Sequence, residues 1–158
     1  MRRPPRSTPP VTLFPSRRSS DLITVSCSKS DDNDNNNQYI PNVTFDTGNL
    51  VNTNLPQYSQ LKYANNHVVL NNNYGINGVV IYFAGGTNYS AFELSDPNHP
   101  LSECSTLSVE DVIATCNCDD GNSYDILSGN IQPGTTGQYA LKRYYVEVLG
   151  DIIRVYNN

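Results

Sequence analysis

No window of this chain carries a helical apolar stripe longer than about two turns. Gly and Pro interrupt most of the candidates. Apolar residues fall instead into short runs rich in β-branched and aromatic side chains: Val68-Val69-Leu70, Val79–Phe83, Tyr89–Phe92, Val109–Ala114, Tyr144–Val148 and Ile152–Val155. Turn formers separate them, namely Asn65-Asn66, Asn71-Asn72-Asn73, Asn77-Gly78, Gly85-Gly86, Asp120-Gly121 and Gly150-Asp151. Tyr145–Val148, then Leu149-Gly150-Asp151, then Ile152–Val155 reads as a hairpin. The pattern predicts a small all-β domain over residues 39–158, with no internal repeat.

The rest of the chain has a different composition. Five of the ten basic residues, Arg2, Arg3, Arg6, Arg17 and Arg18, precede residue 22, as do five prolines. The remaining residues hold five basic against fourteen acidic side chains, so the overall −5 masks a domain-bearing part near −9. Such an acidic surface has no basic face with which to neutralise phosphates, which argues against nucleic acid as a partner. Residues 1–21 show no apolar periodicity and are set aside from the fold. Thr12-Leu13-Phe14-Pro15 and Arg17–Leu22 look like the conceptual translation of a sequencing adapter, so this segment is expected to be non-native. No run of about 18 apolar residues is present to span a membrane.

Leu22-Ile23-Thr24-Val25-Ser26-Cys27 is a short apolar run that ends in a small residue and then Cys. It resembles the end of a bacterial lipoprotein signal peptide, which implies that residues 22–27 are its remnant and that Cys27 is the lipidated residue. An ordinary buried strand with one Cys is the other reading. Ser28–Gln38 is polar, acidic and Asn-rich and cannot bury enough surface to fold, so residues 28–38 are expected to be a disordered tether. Its acidic start resembles the export signal of surface lipoproteins in the Bacteroidota. The resemblance implies a lipid anchor in the outer membrane, facing the periplasm or the cell surface. Asp31–Asp34 lacks the Gly and the terminal Glu of a calcium loop.

Two boxes carry the remaining cysteines: Asp96-Pro97-Asn98-His99-Pro100-Leu101-Ser102-Glu103-Cys104 and Cys116-Asn117-Cys118-Asp119-Asp120-Gly121. Together they resemble the Rieske family, whose 2Fe–2S cluster is held by C-x-H and, after about 15–17 residues, C-x-x-H. Asp96-x-Asn98 and Cys116-x-x-Asp119 stand at that spacing. Gly78–Phe92 is similar to the strand and turn that precede the first Rieske box. Gly121, Ser123, Tyr124 and Asp125 resemble the stretch after the second, and Leu141–Val146 with Gly150–Val155 resemble the closing hairpin. The resemblance covers most of residues 65–156. It implies an antiparallel Rieske-like β-sandwich or barrel of stacked sheets.

It does not carry over the ligands. Asp96 stands where the first Cys belongs, Asn98 where the first His belongs and Asp119 where the second His belongs; Cys116 alone is kept. One thiolate among hard oxygens and an amide is a poor match for a sulfide-bridged cluster. No cofactor and no resident metal are therefore expected, with His99 and Cys116 as the weak metal candidates. Family members of the cytochrome bc type carry a disulfide between the two cluster loops. That implies Cys104 with Cys118 here, and Cys104 with Cys116 is the alternative. Zinc on His99, Cys104, Cys116 and Cys118 has suitable ligand types, although Cys-x-Cys is a tight spacing and oxidation competes.

Catalytic chemistry has little to stand on. Asp119 and Asp120 precede Gly121 as turn formers and have no Ser, His or Lys partner in reach by sequence. His67 lies at a turn, and His99, between Asn98 and Pro100, is expected in an exposed loop. No glycine loop suited to phosphates occurs. The tyrosines are expected in core and cross-strand packing. Two classes of function follow: a cluster-free, envelope-anchored binding or structural module, and a Rieske 2Fe–2S electron-transfer protein.

Overall fold

The computed structural model describes residue 10 and residues 37–158. The segment 1–21 otherwise, the signal remnant with Cys27, and the tether up to residue 36, with its Asp31–Asp34 run, lie outside the described residues. Among the described residues, nine strands follow in chain order: β1 Phe45–Asp46, β2 Asn66–Leu70, β3 Val79–Gly85, β4 Asn88–Glu93, β5 Leu107–Glu110, β6 Ile113–Cys116, β7 Ser123–Asp125, β8 Tyr145–Leu149 and β9 Ile152–Asn157. They form three antiparallel sheets, ordered β1-β9-β8, β2-β3-β4 and β5-β6-β7. The all-β expectation holds.

β3 organises the interior. Its unbroken apolar run suits a strand covered on both faces. Val79, Ile81 and Phe83 point into one core with Val51, Leu61, Val68, Ala91, Ile153 and Val155. Val80 and Tyr82 point into a second core with Phe92, Leu107, Ala114, Cys116, Tyr124 and Ile126. The central sheet thus has an apolar core on each face. The second core is the one that abuts both boxes.

Three elements differ from expectation. Val109–Ala114, read as one run, is the tip of the β5–β6 hairpin, with Val109 paired to Ala114 and Glu110 to Ile113. Asp111 turns the chain at φ 53°, a left-handed conformation that Asp tolerates better than most residues. Pro56–Lys62 is a 3-10 helix. Only Tyr58 and Leu61 face inward from it, so it leaves no sustained apolar period to read. The closing hairpin turns on Gly150 and Asp151 alone, because Leu149 pairs with Ile152. Tyr145 and Tyr156 stack across it at 5.4 Å.

Candidate functional site

The first box occupies the link from β4 to β5, and the second occupies the turn from β6 to β7. The β6 backbone brings them together. Cys116 ends β6 opposite Leu107, and Leu107 hydrogen-bonds back to Leu94, two residues before Asp96.

Asp96 is fully buried. Its Oδ1 accepts the Tyr124 hydroxyl and the Asn98 backbone N–H at 2.8 Å. Oδ2 accepts the Asn122 side-chain amide at 2.9 Å. Asn98 donates from Nδ2 to the Tyr124 oxygen at 2.9 Å and to the Tyr139 carbonyl at 2.8 Å. Its Oδ1 accepts the backbone N–H groups of Gln138 and Tyr139 at 3.1 and 3.0 Å. Asn122 Oδ1 accepts the Thr136 backbone N–H at 2.9 Å and the Thr136 hydroxyl at 3.0 Å. A third loop, residues 136–139, is thereby stitched onto both boxes. Gly137 lies at φ 108°, and a Cβ there would collide with the Asn98 side chain. The glycine lets the loop approach that closely.

Cys104 and Cys118 are joined by a disulfide, with Cα atoms 4.9 Å apart. The bridge closes a segment of sequence separation 14, worth about 3 kcal/mol in the chain-entropy model. Cys116 is a free, buried thiol. Burial pushes its pKa up to about 12, reinforced by the Asp96 and Asp120 carboxyl groups. At neutral pH it is therefore a protonated thiol.

The four Rieske-like positions meet only in part. Asp96, Asn98 and Cys116 border one buried network, with the Asp96 and Asn98 side chains committed to hydrogen bonds. Asp119 is exposed, and its neighbour Asp120 is the residue that faces Cys116, at 3.5 Å. This set does not fit a 2Fe–2S cluster: it offers a single thiol where the cluster needs two, one saturated carboxyl group, one saturated amide and one exposed carboxyl group. His99 is half-buried, not exposed. Its Nδ1 lies 2.7 Å from the Pro100 carbonyl and 3.8 Å from Cys118 Sγ.

Sequence reasoning missed four contributors. Asn37, the penultimate residue of the expected tether, is buried and donates to the Pro97 carbonyl at 2.5 Å. Tyr124 and Tyr144 do more than pack: each is buried and donates its hydroxyl to a buried acid, Asp96 and Glu93 respectively. Burial and those acids raise both phenol pKa values well above the usual range. Glu93 had no motif to flag it. The one available signal was an acid at the end of the strand Asn88–Glu93, beside the buried Phe92. A separate groove of about 400 Å³ is lined by Leu50, Tyr58, Val68, Leu70 and Tyr74, among others, and by none of the box residues.

No family model and no curated protein sequence matches the chain. Among solved structures, it is similar to a chain of the complex of reduced oxygenase and oxidized ferredoxin in carbazole 1,9a-dioxygenase. The superposition covers 59% of this chain and 82% of that one, with 19% identity and a TM-score of 0.39. A TM-score at that level does not assign a fold family.

Proposed function

We propose that this protein is an envelope lipoprotein whose Rieske-like β domain has lost its 2Fe–2S cluster and serves as a binding or structural module. The observation that carries the loss of the cluster is a closed hydrogen-bond network at the positions where the resemblance would put ligands. At the box positions, Asp96 and Asn98 spend their polar atoms on Tyr124, Asn122 and the 136–139 loop. The Cys104–Cys118 bridge supplies the cross-link between loops.

Anaerobic reconstitution with ferrous iron and sulfide tests it directly. The purified chain should retain no stoichiometric iron or sulfide after desalting and should stay colourless in the visible. Iron and sulfide near two each per chain would sink the reading and restore the electron-transfer alternative. Asn98→His combined with Asp119→His should also stay colourless, because the first thiolate is still missing.

The anchor rests on Leu22–Cys27 and the acidic tract after it. In a Gram-negative host given a native lipoprotein leader upstream of Leu22, a palmitate analogue should label the chain and not its Cys27→Ser variant. Equal labelling of both would remove Cys27 as the anchor.

A further inference from the structure

The disulfide sits among more donors than a structural cross-link needs. One ring nitrogen of His99 and the sulfurs of Cys104 and Cys118 all lie within 4.8 Å of one another. The sulfurs of Cys116 and Cys118 and a carboxyl oxygen of Asp120 form a second such group. Cys118 belongs to both, so the two groups share a corner. In a tetrahedral zinc site, bonds of about 2.0–2.3 Å put neighbouring ligand atoms roughly 3.3–3.8 Å apart. Within the first group the donors need shifts on the order of 1–2 Å to reach that spacing, and Cys116, which falls in the second group alone, has to move in toward His99 and Cys104. The two bridged sulfurs must also part from bonding distance.

We propose that His99, Cys104, Cys116 and Cys118 form a zinc site that the Cys104–Cys118 bond closes when oxidised and that reduction by a dithiol opens. In that step the dithiol supplies two electrons and two protons and leaves as its own disulfide; the S–S bond breaks into two thiols. Zinc then displaces the protons of the three thiols into solvent. Access favours the exchange, since Cys104 is exposed and Cys118 half-buried. His99 Nδ1 lies 3.8 Å from Cys118 Sγ and 2.7 Å from the Pro100 carbonyl, a contact it gives up to bind the metal through that nitrogen. Three thiolates and an imidazole are a donor set that zinc prefers over hard cations such as magnesium. The competition between oxidation and metal thus becomes the control. The proposal stands independently of the Rieske-like reading, because it uses none of Asp96, Asn98 or Asp119 as a ligand.

The test uses the full chain, oxidised or reduced with a phosphine that does not bind zinc. Zinc itself is the probe, read by competition with a chromophoric chelator, and cobalt(II) reports thiolate ligation by its charge-transfer absorption. The reduced chain should bind one zinc at least about 100-fold more tightly than the oxidised chain. The cobalt form should show sulfur-to-metal absorption only after reduction. His99→Ala removes neither cysteine of the disulfide and should leave the oxidised fold unchanged by circular dichroism, so it separates ligation from folding; it should weaken zinc binding by reduced protein about tenfold or more. Cys118→Ser should weaken it further. Equal affinity in the two redox states, an unchanged affinity in His99→Ala, or loss of the β-sheet circular dichroism on reduction would each overturn the proposal. None of these outcomes bears on whether iron and sulfide bind.

Discussion

Glu93→Ala should destabilise the domain by about 3–5 kcal/mol, a large share of what a domain of this size has. Glu93 ends β4, wholly excluded from solvent. Its carboxyl oxygens accept the backbone N–H groups of Ile76, Asn77 and Ser95 at 2.8, 2.9 and 3.1 Å. They also accept the hydroxyls of Ser95 and Tyr144 at 2.9 and 2.6 Å. Alanine would strand these donors in an interior without water, and each unsatisfied buried donor costs about 1–3 kcal/mol before relaxation. The donors come from the β2–β3 connection, the residue just before the first box and the approach to β8, so one side chain ties three segments together. Tyr144→Phe removes a single hydrogen bond and should cost only about 1–2 kcal/mol. Urea unfolding followed by circular dichroism measures both. A Glu93→Ala loss below about 1 kcal/mol would mean that water enters the site and replaces the carboxyl group.

Glu93 also marks where sequence reading reaches its limit. β3 was legible because a strand covered on both faces leaves a continuous apolar run, and Val79–Phe83 has one. The final hairpin was legible because Gly150-Asp151 is a strong turn signal between alternating strands. Short elements were not. β1 holds two residues and β7 three, too few for a period to emerge, and Asp111 hid a turn inside an apolar stretch. At the site, the resemblance to the two Rieske boxes flagged Asp96, Asn98, Cys116 and the cysteines, since box motifs are local in sequence. Their partners are not local: Tyr124 is 28 residues from Asp96, and Tyr139 is 41 from Asn98. Nothing in a linear pattern says which buried tyrosine will meet which buried acid. Asp119 shows the converse case. A one-residue difference in the turn leaves it exposed and turns Asp120 toward Cys116 instead.

Asp96→Ala should be the most damaging change among the box residues, at about 3–5 kcal/mol. It would strand the Tyr124 hydroxyl, the Asn122 amide and the Asn98 N–H together, and Tyr124 and Asn122 are both buried to within 1% of full exclusion. Asp96→Asn keeps the shape but turns one acceptor into a donor. Its amide nitrogen would then confront the Asn122 amide or the Tyr124 hydroxyl and Asn98 N–H, so roughly 1–3 kcal/mol should still be lost. Damage from Asp96→Ala should depend on the bridge, because the network and the disulfide hold the same two loops. With Cys104–Cys118 intact, the loops stay near one another and the stranded donors can find water or new partners. After reduction, nothing covalent restrains them, and the second core beneath, with Leu107, Ala114 and Tyr124, is exposed to fraying. A cycle of wild type and Asp96→Ala, each oxidised and reduced, should therefore show coupling of about 0.5–3 kcal/mol in urea unfolding. Strict additivity would mean that network and disulfide stabilise separate parts of the domain, and that reduction can open the cysteine cluster without disturbing Asp96.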